Sequence, residues 1–256
     1  MIEGDPIGDL QTFIDEGWAV VQPRLYPDVP EGPRVSSELT SAEAAYFLAS
    51  VGVGGTQPPL FRIDAEGRKR SDRMPPTAKG APRGYHFFDE IDNNHLRLET
   101  IVEMAAMARL QLEFGWPREH LICESPIVTR HGADALHQDA LDVLLLEVGR
   151  TELAWKMPIT AVRPRVGVEA KADAKLLGKL FDGMRACQAS GAPHPVTSDH
   201  KKCLAIAELQ PRLFLGVAAG DTWRLFTVVE RDGRAVLGDE LPDLNDLHFS
   251  PKAKPA

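Results

Sequence analysis

The sequence predicts an α/β fold in which a sheet of short apolar strands is flanked by helices. Two observations carry the expectation. Between Leu121 and Ala172 the apolar residues come in short, branched runs with turn-like segments between them, "LICESPIVT", "ALDVLLLEV" and "RVGVEAKA". On either side, "HLRLETIVEMAAMARLQLEF" and "AKLLGKLFDGMRAC" repeat apolar residues at helical spacing. An order of helix, three strands, helix and further strands specifies a sheet packed against helices.

The N-terminal portion, residues 1–93, reads as an irregular extension carrying two short helices, at Ile7–Glu16 and Ser41–Ala49. The second opens with Thr40 and has Glu43 three residues on, the spacing of a capping box. The stretch that follows is rich in Gly, Pro and basic residues, with Arg62, Arg68, Lys69, Arg70, Arg73, Lys79 and Arg83. Such composition predicts a solvated loop. Asp89, Glu90 and Asp92 lack the spacing and glycine of a calcium loop and read as caps of the helix that follows.

That helix is expected over His95–Phe114, with Leu98, Ile101, Ala105, Ala108 and Leu112 as its buried stripe and Glu99 and Glu103 off it. After the three strands, helices are expected at Ala174–Cys187, with Leu176, Leu177, Leu180 and Met184 on its apolar face, and at Asp199–Leu209. "RLFLGVAAGDTWRLFTVVERDG" reads as a hairpin turning at Gly220-Asp221. The domain boundaries expected are 1–93 for an accessory region, 94–236 for the α/β domain and 237–256 for a polar, extended tail.

A hydrophobic fraction of 43% and a charged fraction of 26% are those of an ordinary soluble globular chain. No apolar run is long enough for a membrane span, and MIEGDPIGDL lacks the regions of a signal peptide, so a cytoplasmic location is expected. The three cysteines form no C-x-x-C pair and read as reduced thiols in or near the core. A net charge of −8 argues against a protein that coats nucleic acid without specificity, but leaves room for a local basic groove.

The residues that suggest chemistry lie in the third strand. Acidic-x-Lys triplets occur three times, at Glu169–Lys171, Asp173–Lys175 and Asp199–Lys201, so the triplet alone carries no weight. Asp173 and Asp199 stand at helix starts, where caps are expected. Glu169 and Lys171 instead share one face of an apolar strand, opposite Val166, Val168 and Ala170. Two charges there are costly unless they act together or face a cleft. Asp142 lies out of phase with Leu141, Val143 and Leu145, and converges on Glu169 if the two strands are neighbours. Paired carboxylates suit Mg²⁺ or Mn²⁺, and a lysine beside them completes what hydrolysis of a phosphodiester needs.

Asp142, followed 27 residues later by Glu169-Ala170-Lys171 in a helix-strand-strand-strand-helix order, resembles the PD-(D/E)XK nuclease superfamily. Within it the chain is most similar to the nuclease domain of type I restriction enzyme motor subunits and their stand-alone relatives. There too a glutamate-bearing helix leads to a "GW" turn, here Gly115-Trp116, and then to an Asp strand and E-x-K. "GVAAGDTWRLF" (216–226) is similar to the strands that close that fold. The similarity covers about residues 95–230.

The resemblance implies a restriction-endonuclease-like core. It further implies a Mg²⁺- or Mn²⁺-dependent nuclease, with DNA as the favoured substrate, in a bacterial restriction or antiviral-defence setting. It implies that Asp142, Glu169 and the Ala170 carbonyl bind metal, that Lys171 positions the nucleophilic water, and that Glu99 orients the metal's waters. Relatives often carry an arginine before the strand's Asp, whereas this chain reads His137-Gln138-Asp139-Ala140-Leu141-Asp142; strand phase favours Asp142 over Asp139 as the ligand. His137 reads as an ordinary turn histidine or as an aid to proton transfer. Lys175 and Lys179, with Asp182, form a polar stripe that is a solvated face or a contact to nucleic-acid phosphates. Residues 1–93 would bind a protein partner or a second copy. The rival expectation is a non-catalytic binding or assembly subunit built on the same fold.

Overall fold

The computed structural model describes residues 4–54, 57–74, 85–88, 96–131, 135–147, 164–190 and 198–250. The fold is mixed α/β, with five α-helices, a three-stranded sheet and a six-stranded mixed sheet. Two compact units divide it. One comprises Met1–Arg109, Ala170–Ala174 and Val217–Thr222; the other comprises Leu110–Glu169, Lys175–Gly216 and Trp223–Ala256.

In the first unit, α1 (Pro6–Leu25) starts with a proline whose missing N–H costs nothing at that position. Leu10, Ile14, Trp18 and Val21 recur on one buried face. The helix runs past the expected end at Glu16 because Trp18 and Val21 still have a core to enter, and it ends two residues after Pro23, which cannot donate to the carbonyl four residues back. Gly17 permits the close approach of Phe88, where a Cβ would meet the ring at 3.0 Å. Trp18 stacks on Tyr26 with centroids 5.0 Å apart and meets Phe88 edge-on at 5.8 Å.

The expected capping box of α2 (Ser41–Ser50) is present. Glu43 N–H donates to Thr40 Oγ1 at 3.2 Å, and the Glu43 carboxylate accepts from the Thr40 N–H at 2.8 Å. The same carboxylate accepts from the N–H groups of Gly220 and Asp221, at 3.3 and 3.1 Å.

The expectation of a solvated basic loop after α2 does not hold for its described part. β1 (Arg62–Ile63), β2 (Arg68–Arg70) and β3 (Tyr85–His86) form an antiparallel sheet in the order β1-β2-β3. Asp64 closes the β1–β2 turn by accepting from the Arg68 and Glu66 N–H groups, both at 2.9 Å, and from Arg70 Nε at 2.6 Å. Burial opposes its ionisation, but the Arg68 N–H, the Arg70 guanidinium and the Glu66 N–H outweigh it and hold the carboxyl below its ordinary range. Lys69 is 1% exposed, and its ammonium meets Glu103 at 2.5 Å. Lys79, Arg83 and the acidic cluster Asp89, Glu90 and Asp92 lie outside the described residues.

Glu103 belongs to α3 (Leu98–Leu112), and its burial corrects the single-stripe reading of that helix. Ile101 to Ala108 are buried without interruption, whereas Leu112, assigned to the stripe, is 49% exposed. The helix is enclosed on most sides, so its one charge in that run needs a partner, and Lys69 supplies it.

In the second unit the six-stranded sheet runs β4-β5-β6-β7-β8-β9. Its strands are β4 (Leu121–His131), β5 (Ala135–Leu146), β6 (Pro164–Lys171), β7 (Leu213–Ala218), β8 (Thr222–Arg231) and β9 (Arg234–Glu240). β4, β5 and β6 pair antiparallel in sequence, and α4 (Ala174–Ser190) and α5 (Ser198–Leu209) carry the chain from β6 to β7. Leu177, Leu180 and Met184 are the buried face of α4, but Leu176 is 41% exposed, against expectation. A glycine at 216 lets α4 approach β7, since a Cβ there would meet the Phe181 ring at 2.5 Å. The expected turn at Gly220-Asp221 is present, both residues having positive φ. Cys123 is buried, and Cys187 and Cys203 are half-buried.

The ending is not the extended tail expected from residue 237. β9 pairs antiparallel with β8, with Val228 opposite Leu237. Beyond it Leu247 is buried and its carbonyl accepts from Trp116 Nε1 at 2.6 Å, while Phe249 packs edge-on against Trp116 at 5.2 Å. Trp116 is thus core and needs the C-terminal segment to satisfy its N–H.

Two outcomes follow from the first unit. Lys69→Met leaves the Glu103 carboxylate buried without its ammonium and should cost about 3–5 kcal/mol in urea unfolding, much of it recovered in Lys69→Met/Glu103→Leu. Asp64 contributes stability that is complete above its ordinary value of 3.8 and is lost as pH falls through the lowered folded value. The Tm deficit of Asp64→Asn should therefore be largest near neutral pH and shrink below pH 3.8.

Candidate metal centre

The β5–β6 register sets the site. Val143 lies opposite Val168 and Leu144 opposite Gly167, so one further step of the antiparallel ladder sets Asp142 opposite Glu169. Directly opposed residues point to the same side of a sheet. The two carboxylates meet as strand phase requires. Asp142 and Glu169 each offer an oxygen within 4.8 Å of the other's, and in the first unit Glu99 stands in the first turn of α3.

Their environments differ. Glu169 is 2% exposed and forms an ion pair with Lys202 Nζ at 2.7 Å. Glu99 is half-buried and meets Lys171 Nζ at 2.7 Å on one oxygen and the Arg97 guanidinium at 3.4 Å on the other. Lys171 also donates to the Ala170 carbonyl at 2.9 Å. Asp142 is half-buried. The two converging carboxylates of the second unit repel each other, and Lys202 offsets that repulsion in part.

Of the residues singled out in the sequence, Asp142 and Glu169 come together in the second unit, and Glu99 and Lys171 meet in the first. The Ala170 carbonyl, expected to bind metal, is held by the Lys171 ammonium. Lys175 and Lys179 are exposed on α4 and belong to none of these ion pairs. The side chains of His137 and Asp139 lie outside the described residues. Lys202 was missed. Its signal was helical phase: it precedes Ala205 and Ile206, both buried, by three and four residues and so shares their face of α5.

The donor set fits a hard divalent cation. Paired carboxylates with facing oxygens are what Mg²⁺ or Mn²⁺ takes, and no softer ligand joins them among the described residues. No helix among the described residues is long and apolar enough to cross a membrane. No family model matches the chain, and neither a curated protein nor a solved structure matches it.

Mg²⁺ or Mn²⁺ should raise the Tm of the wild-type chain over its value in EDTA, as any ligand bound only by the folded state does. Asp142→Asn should abolish that rise while keeping the Tm in EDTA within a few degrees of wild type. Differential scanning calorimetry in the two conditions checks both.

Proposed function

We propose that the chain is a metal-dependent nuclease of the PD-(D/E)XK type, hydrolysing phosphodiester bonds in nucleic acid, with DNA the favoured substrate. The observation that carries the reading is the convergence of Asp142 and Glu169 from neighbouring strands, with Lys171 two residues along the strand from Glu169. The element order α3-β4-β5-β6-α4 agrees with it. A restriction or antiviral-defence setting and a partner for residues 1–93 extend the same resemblance.

Asp142, Glu169 and Glu99 would hold the metal. A bound divalent ion supplies Lewis acidity toward a phosphoryl oxygen and lowers the pKa of water. Glu169, buried within an apolar strand, is rigidly placed and fixes one side of the site. Glu99 sits at the first turn of its helix, where the helix dipole favours its negative charge. Lys171 is held by two acceptors, so its ammonium is oriented in advance toward an attacking water and the negative charge that develops on the phosphate.

A second reading has its own observation. Lys171 and Lys202 already pair with Glu99 and Glu169, as the ion pairs of a non-catalytic binding or assembly module would. Activity separates the two. Labelled duplex and single-stranded DNA and RNA should be cleaved in Mg²⁺ or Mn²⁺ but not in EDTA. Lys171→Ala and Asp142→Ala should each lower the rate by about a hundredfold or more. No cleavage of any substrate, together with no metal binding by calorimetry, would establish the module instead.

A further inference from the structure

The second unit has a cavity of about 660 Å³ where α4 meets the β8–β9 hairpin, and arginines dominate its charge. Arg231 and Arg234 close the hairpin and are directly opposed in its register. The two residues between them, Asp232 and Gly233, have φ of 52° and 73°, the geometry of a tight two-residue turn that fixes this register. Opposed residues share a face, so the two arginine side chains leave the hairpin on the same side.

The third guanidinium comes from another element. Arg185, on α4, lies over the Phe226 ring at 5.6 Å. Gln188, three residues along the same helix, also lines the cavity, and its buried amide nitrogen has no hydrogen-bond partner among the described residues. Val236, Leu237 and Ala189 add apolar surface. Two carboxylates line the cavity as well, Asp232 and Asp239, but among the described residues neither Arg231 nor Arg234 forms an ion pair. Glu240, next in sequence, is engaged by Arg224 through two bonds of 2.8 and 2.7 Å.

We infer that this groove between α4 and the β8–β9 hairpin binds phosphate groups. A guanidinium is a planar fork that donates two bonds to one phosphate, and three of them around one cavity suit a tetrahedral group rich in acceptors. The volume admits a nucleotide-sized ligand, with apolar walls for its sugar or base. The same guanidiniums would equally hold the backbone phosphates of a nucleic acid. The inference does not depend on the nuclease reading, because no residue of the acidic cluster lines the groove.

The test uses the full chain in EDTA, so that metal chemistry plays no part. Inorganic phosphate and adenosine 5′-monophosphate are titrated by calorimetry, and a fluorescent single-stranded oligonucleotide by anisotropy. At least one probe should bind. Arg231→Ala/Arg234→Ala and, separately, Arg185→Ala should weaken binding tenfold or more with an unchanged circular dichroism spectrum. Binding of the small probes would identify a free phosphorylated ligand. Binding of the oligonucleotide alone, with a salt dependence whose slope falls by about two in the double variant, would identify a phosphodiester backbone. The inference is overturned if no probe binds at millimolar concentration, or if the folded arginine variants bind as wild type does.

Discussion

Glu169 imposes the constraint to which its surroundings answer. A carboxylate in the middle of an apolar strand loses its hydration, and an unpaired charge there would cost several kcal/mol. Lys202 on α5 offsets that cost directly. The residue opposite adds to it, because the β5–β6 register brings Asp142 to the same side of the sheet. The chain thus spends folding free energy to keep carboxylates together that a stability-driven sequence would separate. Concentrating like charge in a half-buried place is the usual mark of a site selected for binding or chemistry.

α3 shows the same logic twice along one face. Glu99 and Glu103 stand one turn apart, and each meets a lysine from elsewhere in its own unit: Lys171 for Glu99, Lys69 for Glu103. The two pairs differ in exposure, and the difference separates their roles. Lys69–Glu103 is buried at both ends, so it fixes the packing of β2 on the helix. Glu99 keeps contact with solvent and with Arg97, which leaves its carboxylate open to exchange of partners. An ion pair of that kind contributes little to stability. Its value lies in holding Lys171 in place.

The elements with strong period were legible in the residues, and so was the pair Asp142–Glu169, since strand phase and neighbouring strands suffice to bring two carboxylates together. What was not legible depends on tertiary context. Lys69 and Arg73 look like solvated loop residues until the partner helix is known; a buried lysine has no local signature apart from its distant carboxylate. Leu112 and Leu176 satisfy helical spacing yet are exposed, because periodicity identifies a face and not where the core ends. The last strand was missed because Gly238 and the acidic residues around Leu237 read as a tail, although β8 offers them a pairing edge. Lys202, which pairs with Glu169, was passed over in favour of its neighbour Lys201, which completes a triplet.

The account rests on Asp142 and Glu169 sharing one divalent cation. Crystals soaked in Mn²⁺ and measured at a wavelength where manganese scatters anomalously test this directly. The account predicts an anomalous peak about 2.1 Å from carboxylate oxygens of both residues, with Lys202 released from or rearranged about Glu169. A map with no peak at that position, and with Lys171 and Lys202 still paired to Glu99 and Glu169, would contradict it.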